Sequence, residues 1–359
     1  MLKTNNPSWT GDEIFDVARL INCALMAKIH TVEWTPAILA HPTLEVVMNI
    51  NWSGVVGAQL YTFPPRPCPP ADADMTSRHS LLGHLSTNEV ISGIPGSGAD
   101  SGVAPYSLTE EFVSVHRLHP LIPDNVAFFD LATGSHTTTT PIADIAFSQS
   151  RNPFANGVSF ADAFYSFGVN YPGAITVHNT PVFIRNFRKP DGEHLDLGTV
   201  DILRDRERGV PRYCEFRRLF HMPVPSSFEA LTGGNTTLAA ELRDVYDGDL
   251  SKVDLLVGCL SEPLPKGFGF SDTAFQVFIL MASRRLQSDR FIATDFKDTV
   301  YTKEGIHWVQ GNGMKDVLVR HFPDLRASLR GSENVFAPWG KVGRTGEYGG
   351  VETNVPVAA

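Results

Sequence analysis

Glu110-Glu111-Phe112-Val113-Ser114-Val115-His116-Arg117-Leu118-His119-Pro120-Leu121-Ile122-Pro123-Asp124 sets two histidines three residues apart, directly before a proline. Ahead of it, Ser107-Leu108-Thr109-Glu110 has the form of a capping box, in which a serine hydroxyl and a glutamate carboxylate each take up an orphan amide of the first turn. A helix is expected from about Leu108. Phe112, Val115 and Leu118 recur at helical intervals, so one stripe should face a packed interior. Pro120 has no amide hydrogen and crowds its predecessor, which sets the expected helix end at about His119. A histidine in that last turn meets the negative end of the helix dipole, which makes it a stronger electron donor to a metal. His116 lies one turn back on the same side. On spacing alone, a surface or core pair of histidines and a metal site both stand open.

The rest of the composition is that of an ordinary soluble globular protein: 359 residues, 42 % hydrophobic and 19 % charged, enough to bury a sizeable core. A net charge of -9 with no lysine or arginine stripe argues against a nucleic-acid partner. Arg204-Asp205-Arg206-Glu207-Arg208 alternates in sign and reads as an ion-pair lattice. No apolar run is long enough for a transmembrane segment and the first residues have no signal-peptide character, so the expected location is cytoplasmic. Cys23, Cys68, Cys214 and Cys259 are scattered, which suggests neither a zinc site nor a disulfide framework.

Helical patterns dominate, and the expected fold class is mainly α. Thr10-Gly11-Asp12-Glu13 is a second capping box, followed by Ile14, Val17, Ala18, Ile21 and Leu25, so a long helix should run from about 12 into the low thirties. Pro36 interferes with the carbonyl of Val32 and should loosen that helix near His30 and Thr35. Further helices are expected near 161–168, 198–207, 211–221, 236–247, 250–259, 271–290 and 314–321, with a short strand pair around 175–184. The Pro-, Gly- and Ser-rich stretch at about 63–104 reads as a surface insertion, Thr137 to Thr140 as an exposed connection, and 341–359 as a flexible tail on a single domain of residues 1–340. Ala274 to Ala282 is apolar nearly all round, the mark of a buried helix, and it runs into Ser283-Arg284-Arg285. A guanidinium at the end of a buried helix needs an anion, either a protein carboxylate in a salt bridge or the carboxylate of a ligand.

Taken together, Lys28-Ile29-His30-Thr31-Val32-Glu33-Trp34-Thr35, Tyr106 to Phe112, Arg117 to Asp124, Arg204 to Arg208, Glu215-Phe216-Arg217-Arg218 and Leu280 to Leu286 resemble the fatty-acid α-dioxygenases. These belong to the animal-type haem peroxidase and cyclooxygenase superfamily. The likeness runs in order from about residue 12 to about 322. It implies a helical haem peroxidase-like domain, haem b with its iron held by His119, and an oxidoreductase acting on a fatty acid with O2 or peroxide. Metal-bound histidines usually have an acceptor on the other ring nitrogen; Asp201 falls where mammalian peroxidases carry the asparagine that supports theirs, and a solvated carboxylate is its other reading. His30, Thr35 and Arg285 fall on the family's carboxylate-binding histidine, threonine and arginine, so a head group would be held by one charge-assisted contact and two hydrogen bonds; Arg284 is the alternative arginine. No calcium loop of the family type can be assigned.

The sequence departs from the family pattern in two places. The dioxygenases and cyclooxygenases carry a tyrosine three residues before the proximal histidine, where it is oxidised to a radical; here the residue is His116, and an imidazole offers no phenolic hydrogen atom. Tyr106 and Tyr213 are other phenols that no motif aligns with that position. The family's distal histidine and arginine segment lie well upstream of the Lys28 motif, whereas 27 residues precede Lys28. The resemblance therefore implies an N-terminally truncated domain, a missing proton shuttle typically worth ~10²–10⁴-fold, and apolar surface that favours association, as a homo-oligomer or with the missing segment. A catalytically inactive haem- or fatty-acid-binding protein, or a gene fragment, is the alternative reading.

Overall fold

The computed structural model describes residues 1–61, 89–98, 107–189 and 191–340, with backbone alone for 56–61. Most of the 63–104 stretch, Tyr106 and the tail 341–359 lie outside the described residues. The chain forms two compact units, one from Met1–Val113 with Leu264–Met314, the other from Ser114–Pro263 with the chain from Lys315 onward. Helices predominate in both, as the sequence pattern predicts. Among the described residues no helix is long and apolar enough to cross a membrane.

In the first unit the helix Gly11–Ile29 starts at the predicted capping box: Thr10 N donates to Glu13 Oε2 at 2.7 Å and Glu13 N donates to Thr10 Oγ1 at 3.2 Å. It buries Ile21, Leu25 and Ile29 and packs against Lys303–Gly311 at Gly305, where an added Cβ would lie 2.6 Å from Ile21 Cδ1. The helix Asp272–Ser288 is capped by Ser271, whose hydroxyl accepts from Ala274 N at 3.3 Å. It is less enclosed than its apolar run suggests: Ala274, Val277 and Phe278 are buried, but Leu280 is 37 % exposed.

Part of the Pro- and Gly-rich stretch belongs to the core rather than the surface. Residues 89–98 carry a short helix, Glu89–Ser92, and Ile94, which is buried. Ile94 N donates to Asn51 O at 2.9 Å and Gly96 N donates to Ile292 O at 3.1 Å. The segment crosses the helix Pro42–Tyr61 where that helix breaks at Gly54, with φ 70° and ψ 170°. A Cβ on Gly54 would lie 2.1 Å from Ile91 O, and one on Gly93 2.3 Å from Trp52 O. Only residues without a side chain allow two backbones this close.

In the second unit an antiparallel hairpin, Asn125–Phe129 with His136–Pro141, packs Val126 and Phe128 against Ala163 of the helix Phe160–Val169. Thr137 to Thr140 are thus a strand and not a connection: the partner strand supplies the inward apolar side chains. The strand pair expected at 175–184 does not form. Ile175-Thr176-Val177 has β-branched character, but its backbone is claimed elsewhere, Val177 N donating to Leu260 O at 3.1 Å, and Pro181 then opens the helix Val182–Arg185. A two-residue ladder, Phe187–Arg188 with His194–Leu195, comes next instead. The helix expected over 250–259 divides into a 3₁₀ turn, Leu250–Lys252, and the helix Leu255–Ser261, because the intervening Val253 and Asp254 take extended conformations. The Gly54 crossing predicts that Gly54→Ala lowers the unfolding free energy by about 2–4 kcal/mol, the sum of a strained positive φ and a backbone collision. Urea titration checks it, and a midpoint equal to that of the parent would show that the crossing tolerates a methyl group.

Candidate functional site

The helix that opens the decisive stretch is shorter than its sequence predicts. It spans Glu110–Val115 and is capped by Thr109, whose hydroxyl accepts from Phe112 N at 3.2 Å, while the Ser107 carbonyl accepts from the Arg285 guanidinium. The chain leaves the helix at His116, whose carbonyl accepts from Leu118 N at 3.0 Å, and re-forms as a 3₁₀ turn, His119–Leu121. His116 and His119 therefore do not share one helix face, and His119 opens a turn instead of closing a helix. The helix-dipole expectation for it fails with that change. Pro120 sits in the first positions of this turn, where its missing amide is not needed.

In the second unit His119 meets the carboxylate that the sequence singles out. Its Nδ1 lies 3.3 Å from Asp201 Oδ2, and Arg117 Nε lies 3.1 Å from Asp201 Oδ1. Asp201 projects from the helix Leu197–Glu207, which Asp196 caps by accepting from Gly198 N at 2.9 Å and Thr199 N at 3.2 Å. Asp201 is 6 % exposed, and its Oδ2, although buried, accepts no hydrogen bond of good geometry from the described residues. It faces an imidazole nitrogen that a small ring rotation would turn into its donor. Burial pushes the Asp201 carboxyl upward, against the opposing charges of Arg117, His119 and Arg204. Burial likewise holds the His119 imidazole below its ordinary range, with Asp201 opposing and Arg117 adding to the effect.

Asp205, one turn further along the same helix, is a second buried carboxylate and accepts from the Ser114 hydroxyl. Arg117, Ser114 and Asp205 have no part in the site expected from sequence. The spacing Asp201-x-x-x-Asp205 puts both carboxylates on one helix face and carried the available signal. The lattice expected of Arg204 to Arg208 is also more outward-looking than its alternation implies: Arg206 Nε and Nη2 donate to Asp254 at 2.9 and 2.7 Å, outside the run.

The first unit holds the other group of expected residues. The helix loosens at His30, as the position of Pro36 predicts, into a π-helical turn, His30–Trp34. Thr35 donates to the His30 carbonyl through both its amide and its hydroxyl, the latter at 2.8 Å. Single π turns of this kind often mark functional sites. Two side chains tether it, one just before the turn and one within it. Lys28 Nζ donates to the carbonyls of Val309, Gln310 and Asn312 at 3.0, 2.6 and 2.9 Å, and Glu33 Oε1 accepts from Met314 N at 3.1 Å.

The His30 ring stacks on Trp34, centroids 4.8 Å apart, with Phe278 at 6.3 Å. Although the residue is exposed, partial burial of its ring pushes its pKa below the usual imidazole value. Arg285 is half-buried with its guanidinium 5.6 Å from the Phe112 ring centre, whereas Arg284 is exposed, which favours Arg285 as the inward arginine. Tyr213 is buried, and its hydroxyl donates to Glu262 Oε2 at 2.9 Å beside Arg217; burial and the carboxylate push its pKa upward.

A histidine set against a buried, arginine-held carboxylate on a helical scaffold fits a metal ligand of imidazole type: Nδ1 faces the carboxylate and Nε2 keeps its lone pair. The chain belongs to the animal haem peroxidase family, whose model matches residues 1–336 and whose cofactor is haem. It is 38 % identical over 355 residues to alpha-dioxygenase 2 of Arabidopsis thaliana, covering 95 % of this chain and 53 % of that protein. It is 35 % identical over 353 residues to alpha-dioxygenase 1 of the same plant, covering 94 % and 52 %. The crystal structure of the Arabidopsis thaliana fatty acid alpha-dioxygenase matches with a TM-score of 0.82 at 33 % identity, over 99 % of this chain and 54 % of that one. The chain spans about half the length of the curated relatives it matches.

The stacked His30 supplies a pH prediction. Burial penalises the imidazolium, so the folded pKa lies below the unfolded value of about 6.5. The associated stability is present above that value and is lost as pH falls through the folded pKa. Trp34→Ala opens the ring to water and should move the pKa upward, toward about 6.5. An NMR titration of the His30 ring protons reads both values, and a parent pKa at or above that of the variant would contradict the assignment.

Proposed function

We propose that this chain carries the proximal haem site and a fatty-acid head-group site of an oxidoreductase of the peroxidase and α-dioxygenase type. The observation that carries the reading is Asp201, buried, with Arg117 Nε at 3.1 Å on one oxygen and His119 Nδ1 at 3.3 Å from the other. Haem, when bound, supplies redox chemistry toward peroxide or O2. The side chains supply the rest. With the His119 ring turned toward it, an ionised Asp201 would accept a hydrogen bond from Nδ1, fix the tautomer and raise the basicity of Nε2, the nitrogen that would hold the iron. Arg117 and Arg204 oppose the upward push that burial exerts on the Asp201 carboxyl.

Two solved structures similar to this chain are fatty acid alpha-dioxygenases, and by this reading His30, Thr35 and Arg285 bind a fatty-acid carboxylate. Arg285 contributes the charge. His30, held neutral by its aromatic neighbours, contributes an N–H. Thr35 must exchange its bond to the His30 carbonyl, since a hydroxyl has one proton to give. His116 stands at the tyrosine position, so no tyrosyl radical forms there. Tyr213 is no substitute, because its phenol is buried and bonded to Glu262. Peroxidase-type turnover is the favoured chemistry over radical dioxygenation.

Haemin added to the purified chain should give a shifted Soret band and peroxide-dependent dye oxidation. His119→Ala should abolish both, and Asp201→Asn should weaken haem binding by about 10–100-fold. A His119→Ala protein indistinguishable from the parent would overturn the ligand assignment. The loss of the tyrosine beside a retained head-group trio favours a second reading, a binding protein without turnover. Calorimetry with palmitate should show binding that Arg285→Ala weakens by ~1–3 kcal/mol. That result in a chain without turnover would select the second reading, and equal affinities would remove the head-group site.

A further inference from the structure

On the helix Leu197–Glu207, Asp201 and Asp205 occupy one face and Ile202 and Arg206 the next, about 100° round. The second face borders a cleft of about 500 Å³ within the second unit, walled by Val177, Ile202, Leu238, Leu242, Val245 and Val257. One end of the cleft is charged. Asp254, 2 % exposed, takes Arg206 through both of its oxygens, Arg212 through Oδ1 and the Tyr246 hydroxyl at 3.0 Å through Oδ2. The four acceptor sites of that carboxylate are thereby filled. Two guanidiniums share it, so one positive charge is left over, and Arg206 and Arg212 are 47 % and 38 % exposed with N–H groups to spare. Elsewhere in the cleft, His178 Nε2 lies 2.7 Å from Glu241 Oε2, and Lys252 Nζ lies 3.6 Å from Asp247 Oδ2.

We propose that this cleft binds an amphiphilic monocarboxylate, its head group on Arg206 and Arg212 and its apolar chain along Leu238, Leu242 and Val245. The volume falls in the range of small-molecule sites, and walls of this kind around a few convergent polar groups are their usual lining. At the charged end, the two guanidiniums around Asp254 leave one positive charge, which matches one carboxylate and not a phosphate dianion. Guanidinium forks bind carboxylates with two parallel hydrogen bonds. The proposal is independent of the haem reading and uses none of the residues assigned to the other head-group site.

Calorimetric titration of the full chain carrying Arg285→Ala, which weakens the other site, should show one tighter equivalent of laurate that the substitution leaves in place. Two further changes in that background should each weaken binding roughly tenfold, the scale of one charged hydrogen bond. Arg212→Gln removes one fork and leaves Asp254 to Arg206 and Tyr246. Val245→Glu puts a like charge on the wall at a position 72 % exposed, where folding does not depend on the valine. Dodecanol, with the same chain and no charge, should bind more weakly than laurate. Equal affinities across the variants, no saturable binding, or dodecanol binding as tightly as laurate would overturn the proposal. So would sedimentation showing a dimer of the parent that Val245→Glu dissociates, with no laurate bound, since the cleft would then be a self-association face.

Discussion

Two carboxylates buried on one helix face are the constraint from which the second unit is organised. A buried carboxylate costs several kcal/mol unless charges and donors answer it, and here each is answered by the segment Ser114–His119. Ser114 donates to Asp205, Arg117 contacts Asp201, and His119 lies against the remaining Asp201 oxygen. That segment is therefore held to the helix Leu197–Glu207 by polar contacts at three positions within six residues. The same helix sends Arg206 outward to Asp254, so one element sets both the histidine's surroundings and the charged end of the neighbouring cleft.

The site of the first unit rests on a different device. A π turn adds one residue to a helix and re-aims the side chains beyond it, and it persists only when neighbours over-determine it. Lys28, just before the turn, and Glu33, within it, do so, while the Trp34 ring stacks on His30. The turn places Thr35 in the core with its hydroxyl folded back on its own helix. Both units belong to a chain of the animal haem peroxidase family that is similar to the alpha-dioxygenases.

Much of this was legible in the sequence, and the failures have physical causes. Local chemistry was read well: the Thr10–Glu13 box, the loosening before Pro36 and the helical class all arise from side chains acting on nearby backbone. The pairing of His119 with Asp201 came from a family resemblance, since nothing local joins residues so far apart. What failed was decided by distant partners. The helix before His119 stops early, the Ile175 run gives its amide to Leu260, and Thr137 to Thr140 become a strand because Val126 and Phe128 face inward opposite them. Arg117 and Asp205 were missed because a charge is unremarkable in sequence until burial makes it costly.

The Gly54 and Gly93 crossing also bears on how this chain can change. Each glycine has the other segment's carbonyl where its own side chain would be. The two sites are therefore coupled in substitution: relief at one position requires the backbone to move at both. Drift through intermediate sequences is obstructed there, and a route to any other residue pair passes through a shifted break in the helix Pro42–Tyr61 and not through either glycine alone.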